Sequence, residues 1–200
     1  MVLAACGAPT PSFTAEGPCT ADGRAPGGYP DLEARLPAAL PGSATSGTAD
    51  IAPTTVDSGR NCTEETLATL WGHGLHELRF AGAIWATGGG EGFVSALFVA
   101  PPGQPALDAA WLAEFYEASA RASSKAENVT VTRPVIDPVG EVVRIDALND
   151  LSLQSVVVWP DGDVVRVALI ATNVNPGADR SVHEARVALV VAESASRTSP

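Results

Sequence analysis

Along the middle of the chain, hydrophobic positions recur every second residue, then at helical spacing, then every second residue again. From Glu77 to Thr87 the residues Leu78, Phe80 and Ile84 share one side of an extended strand. Gly88-Gly89-Gly90 turns the chain back, and Phe93 to Ala100 reads as a second strand that Pro101-Pro102 stops. The spacing then changes to 3.6. Asp108 starts a helix whose apolar stripe is Trp111, Leu112, Phe115, Ala118 and Ala122, with Glu114, Glu117 and Arg121 on the other side. Four alternating segments follow, at 128–136, 141–148, 152–159 and 164–172. Their turns are Asp137-Pro138-Val139-Gly140, Asn149-Asp150 and Asp161-Gly162-Asp163.

Three further helices complete the reading. Asp31–Leu36 forms a short one ended by Pro37. Asn61-Cys62-Thr63-Glu64 has the spacing of a capping box, with Leu67, Leu70 and Trp71 behind it. Ser181-Val182-His183-Glu184 is a second box, followed by Val182, Ala185, Leu189 and Ala192 on one face. Residues 41–60, small and polar, read as loop or a short edge strand. The predicted fold is α+β: an antiparallel sheet of about six strands, made of a hairpin, a helix and a four-strand meander, with helices packed on one face. The expected domain runs over 31–193, preceded by a flexible Gly/Pro-rich segment at 1–30 and followed by a disordered tail at 194–200.

Composition narrows the function. Of 200 residues, 46% are hydrophobic, enough for a substantial core. The formal net charge of −11 argues against nucleic acid, whose binding needs a basic footprint, and against adsorption on anionic lipid. No run of residues reaches the 18–20 apolar positions of a membrane-spanning helix.

The opening Leu3-Ala4-Ala5-Cys6 resembles the lipobox of bacterial lipoproteins. The resemblance implies that Cys6 carries lipid and that the protein is exported and held at the outside of the cell membrane. Only five residues precede Cys6, fewer than a signal's apolar stretch of roughly 7–15 requires, so a full signal would start upstream of a trimmed chain. With Cys6 lipidated, Cys19 and Cys62 remain as an even pair in an oxidising compartment, which predicts a disulfide between them.

Candidate chemistry is sparse. His73, His76 and His183 include every histidine of the chain and make a weak metal set, because Gly74 separates the first two at a helix end. There is no Gly-x-Ser-x-Gly elbow and no phosphate loop, so no catalytic residue and no cofactor is expected. In the meander, alternation puts Arg133, Arg144 and Arg166 opposite Val143, Ile145, Val165 and Val167. A four-residue turn at 137–140 would set Arg133 directly across from Arg144, where like charges call for an anion between them. Asp146 or Glu141 would supply it internally; otherwise a bound anion or an anionic partner would. The leading expectation is a non-catalytic envelope lipoprotein that binds a small molecule, a glycan or another protein. The alternatives are a metal-binding lipoprotein or metal-dependent enzyme, and a structural subunit of a surface assembly.

Overall fold

The computed structural model describes residues 25–42, 50–62, 64–87, 91–149, 152–173 and 180–197. They form a mixed α/β fold around one seven-stranded, wholly antiparallel sheet with four helices. The first elements are a short helix α1 (Pro30–Glu33) and two short strands, β1 (Leu40–Pro41) and β2 (Asp50–Ile51), that pair with each other. Then come β3 (Thr55–Asn61), α2 (Glu64–Gly72), the hairpin β4 (Leu78–Thr87) and β5 (Glu91–Val99), and α3 (Ala109–Ala122). The second half contains β6 (Ala126–Thr132), a miniature ladder of β7 (Val135–Ile136) and β8 (Gly140–Glu141), and β9 (Val143–Asn149). It ends with β10 (Ser152–Asp161), β11 (Val164–Asn173) and α4 (Arg180–Ala195).

The sheet order is β3-β4-β5-β11-β10-β9-β6. The predicted hairpin and meander are both present, joined where β5 meets β11. The seventh strand is β3, within the stretch read as loop or edge strand. Its sequence Thr-Val-Asp-Ser-Gly-Arg-Asn has almost no apolar alternation. It is held by its ladder with β4 and by Ser58, whose buried hydroxyl accepts from the Tyr29 N–H and bonds to Glu33. The chain is already in place at Ala25, which bridges Ser58, so the ordered part begins before residue 31.

Helices cover both faces, which corrects the expectation of one covered face. Adjacent residues of β10 enter different cores: Val157 packs with the residues beneath α1 and α4, and Val158 with those beneath α2 and α3. The first core contains Trp85, Phe93, Leu97, Trp159, Ile170, Val187, Val190 and Val191; the second contains Leu67, Leu70, Leu78, Trp111, Leu112, Val143 and Val167. Two-sided burial explains why the central strands β10 and β11 read as near-continuous apolar runs.

Helix α3 begins as predicted, with the Asp108 side chain accepting from the Ala110 N–H at 2.8 Å. Its first turn buries Trp111, Leu112 and Ala113, whereas Phe115 is half-buried and Ala118 and Ala122 are exposed. Helix α4 is turned relative to the predicted stripe. Its inward residues are His183, Val187, Val190, Val191 and Ser194, while Val182 is exposed and Leu189 is only half-buried. The helix also continues through Ser194, so the predicted tail at 194–200 is folded at least to Ala195. The stripe was misassigned because two inward residues are polar, and each has a partner in the sheet.

Candidate functional site

The two faces carry two different arrangements. Under α4 lies a buried polar network. Register places Arg144, Asp146, Ser155 and Thr172 on the face that α4 covers. The Ser155 hydroxyl hydrogen-bonds to Asp146 and lies 2.7 Å from His183 Nε2, and Thr172 Oγ1 lies 2.8 Å from His183 Nδ1. Arg144 grips Glu184 of α4 with both terminal nitrogens, at 2.6 and 2.8 Å, and reaches Asp146 through Nε at 2.9 Å.

Serine, histidine and aspartate in contact invite comparison with a nucleophile and its base, and the hydrogen bookkeeping decides against it. Ser155 has a single hydroxyl hydrogen, which it donates to the Asp146 carboxylate. His183 Nε2 must therefore carry the proton and donate to Ser155, while Nδ1 accepts from Thr172. A ring already protonated at Nε2 cannot take the serine's proton. Burial, reinforced by the Arg144 guanidinium, lowers the His183 pKa below its ordinary value and keeps the ring neutral. The hydrogen bonds from Arg144 hold the Glu184 carboxyl below its ordinary value as well. Ser155 is 1% exposed and His183 4%, so the network fastens a helix to the sheet rather than presenting groups to solvent.

The predicted arginine set separates. Arg166 is fully buried, bonded to Asp161 at 2.6 Å and to the carbonyls of Arg35 and Arg197. Arg144 takes Asp146 and Glu184, so its anions are internal, Asp146 being one of the two carboxylates the sequence put forward. Arg133 is exposed and lies outside β6; Thr132, not Arg133, stands opposite Arg144, because Ile136 pairs with Gly140 and the loop between them is one residue shorter than expected. Asp161 and Asp163, read as turn residues, also serve as the partners of Arg35.

The histidines separate too. His73 stacks against Trp111 with ring centroids 4.5 Å apart, and His76 is exposed, its backbone N–H donating to Gln104. His183 lies across the sheet from both. Among the described residues no three His, Cys, Asp or Glu side chains are grouped to hold a metal ion. Cys62 is buried against Leu67 and Leu70; Cys6, Cys19, Gly88–Gly90 and Asp150 lie outside the described residues.

On the other face, α3 covers β6, β9 and β10 and leaves the β3–β4–β5 half of the sheet facing a cleft of about 370 Å³. Its floor follows from register. Phe80 stands opposite Phe98, with ring centroids 6.3 Å apart, and Ile84 stands opposite Val94, so these pairs form two ridges. Between them, Asp57 pairs with Gly82, Gly82 with Ala96 and Ala96 with Val167. That row carries a hydrogen atom and a methyl where its neighbours carry rings and branched chains. The result is a trough running across the strands. Trp111, Leu112, Phe115 and Tyr116 of α3 form its wall, and Asp57 closes its edge-strand end.

No family model, curated protein or solved structure matches the chain. The reading of the site therefore rests on its geometry.

Gly82 is the informative residue. A Cβ built there would meet nothing nearer than the Ala96 methyl at 3.6 Å, an ordinary contact, and its φ is not in the left-handed region. Neither packing nor backbone conformation requires a glycine. A strand-interior glycine without such a reason marks a place where something else approaches the backbone. The sequence reading missed Asp57, Gly82 and Ala96, because they come from three strands and carry no motif. The one available signal was Gly82 itself, interrupting the Leu78, Phe80, Ile84 alternation.

Proposed function

We propose that this domain binds a small molecule with an apolar body in the cleft between α3 and the β3–β4–β5 half of the sheet, without transforming it. The trough at Gly82 and Ala96, walled by aromatic side chains, is the observation that carries this reading. Its volume falls within the range of small-molecule sites, and its lining is mostly apolar with a few polar groups at the rim. The binding domain belongs to an exported bacterial lipoprotein tethered through lipid on Cys6, with Cys19 and Cys62 joined as a disulfide. That part of the proposal rests on Leu3-Ala4-Ala5-Cys6 and on the even pair of cysteines left over. The protein's partners are then the membrane and the ligand, not nucleic acid, as its net charge of −11 favours. Among the described residues no helix is long and apolar enough to cross a membrane.

Titration with N-phenyl-1-naphthylamine, an uncharged probe whose emission rises in apolar surroundings, tests the cleft. Saturable single-site binding is expected, weakened at least about tenfold by Gly82→Leu, which fills the trough. Binding that is not saturable, or that Gly82→Leu leaves unchanged in a folded protein, would overturn the reading. Partition of the expressed protein into membranes, and its release on Cys6→Ser, tests the anchor. Alkylation of Cys19 and Cys62 only after reduction tests the bridge.

A further inference from the structure

We infer that the cleft's ligand is a cationic amphiphile, a protonated amine or quaternary ammonium on an apolar body, with its charged head at Asp57. The inference rests on the proposal that the cleft is a binding site, and it adds the charge and orientation of what binds.

Three observations converge on it. Among the described residues that line the cleft, Asp57 is the only charged one, and none is a lysine or arginine. Asp57 is half-buried on the edge strand, and no hydrogen bond or ion pair to its carboxylate occurs among the described residues. The nearby arginines are engaged elsewhere: Arg60 with Glu77, and Arg79 with Asp31 and the Tyr29 ring, Arg79 on the far face of the sheet. A carboxylate at the end of an apolar trough, with no counter-ion among the described residues, is completed by a cation. It would repel the carboxylate or sulfate head of an anionic amphiphile.

The second observation is the aromatic lining. Phe80, Phe98, Trp111, Phe115 and Tyr116 line the cleft, and aromatic rings attract ammonium groups as well as apolar chains. The third is direction. The row Asp57–Gly82–Ala96 crosses two strand spacings, about 10 Å, from the edge strand β3 toward the wall formed by α3. A ligand lying in it has its tail against Ala96 and the α3 wall and its head at Asp57 on β3. The protein's net charge of −11 draws cations toward that edge.

Calorimetric titration of the intact protein with decyltrimethylammonium, decanol and decanoate, below their micelle concentrations, separates the possibilities. The cation is expected to bind about tenfold more tightly than decanol, the scale of one charge-assisted contact, and decanoate more weakly than both. Asp57→Asn is expected to bring the cation down to decanol's affinity and leave decanol unchanged, and Asp57→Lys to favour decanoate. If decanol or decanoate binds as tightly as the cation, or if the preference survives Asp57→Asn, this inference is overturned and the cleft proposal stands. If none of the three binds, both fall; a protein that self-associates under those conditions would then have given the cleft to a second copy.

Discussion

Where α4 lies on the sheet, Ser95, Ser155, Thr172, His183 and Arg166 are buried with polar partners; where the β3–β4–β5 half faces α3, apolar groups border a cleft beside Asp57, which has no partner among the described residues. The α4 face satisfies Ser95 with Ser194 at 2.8 Å, His183 with Ser155 and Thr172, and Arg166 with Asp161 and two carbonyls. Each pair spans separate elements, so the helix has one register on the sheet. The α3 face uses Trp111, Leu112 and Ala113 to cover half the strands and leaves the small residues Gly82 and Ala96 lining the cleft. One face is fastened by paired polar side chains and the other presents an apolar trough.

The largest expected effect is on the closed face. Arg166→Met removes a fully buried guanidinium, leaving Asp161 only its 3.9 Å pairing with Arg35 and two carbonyls without their donor, at a cost of about 3 kcal/mol, which lowers Tm by roughly 6–12 °C in a domain of this size. Thermal unfolding followed by circular dichroism measures it; an unchanged Tm would refute the closed-face account. The next effect is of pH. The folded-state pKa of His183 lies below its ordinary value of 6.5, so the unfolded chain takes up the proton first. Its contribution is complete above pH 6.5 and declines as pH falls from there toward the folded pKa. The lowered pKa of Glu184 adds a further loss below its ordinary value of 4.5. Denaturant midpoints from pH 8 to pH 4 should fall accordingly, and His183→Gln should flatten the part of the curve just below 6.5.

A smaller effect separates satisfied from unsatisfied burial. Ser95→Ala or Ser194→Ala alone leaves one hydroxyl without its partner and costs about 1 kcal/mol, whereas the double variant should lose less than the sum. On the open face the sign reverses. Gly82→Ala has room for its methyl and relieves a strand glycine, so it is expected to stabilise by about 0.5–1 kcal/mol while weakening probe binding. If that variant destabilises the fold, Gly82 is there for packing and the contrast between the faces fails.

The same contrast governs what the sequence disclosed. The hairpin, α3 and the meander were legible because their periodicity is carried by Leu78, Phe80, Trp111, Val143 and Val165, whose burial follows from their own side chains. Alternation also placed Arg144 and Arg166 together on the face opposite Val143 and Val165. What stayed hidden depends on partners distant in the chain. His183 and Ser194 face inward only because Ser155, Thr172 and Ser95 await them, and an apolar-stripe reading rotates α4 away from them. The edge strand β3 is held by pairing and by Ser58, not by an apolar alternation of its own. The trough is made of what Gly82 and Ala96 lack, so no residue announces it.

The junction of β5 with β11 has a consequence for how the molecule is made. Phe93 pairs with Ile170, with α3 and the whole run from β6 to β10 intervening in the chain. Until β11 is available, the first part of the sheet, β3-β4-β5, and the meander strands β6, β9 and β10 each end in a bare, apolar edge of the kind that recruits other chains. Cooperative closure of the sheet thus waits on its last strand, and non-local pairing of this kind folds slowly. A chain shortened before Val164 is expected to aggregate rather than yield a smaller domain, and synthesis or transport interrupted at that point would be a window in which a chaperone is needed.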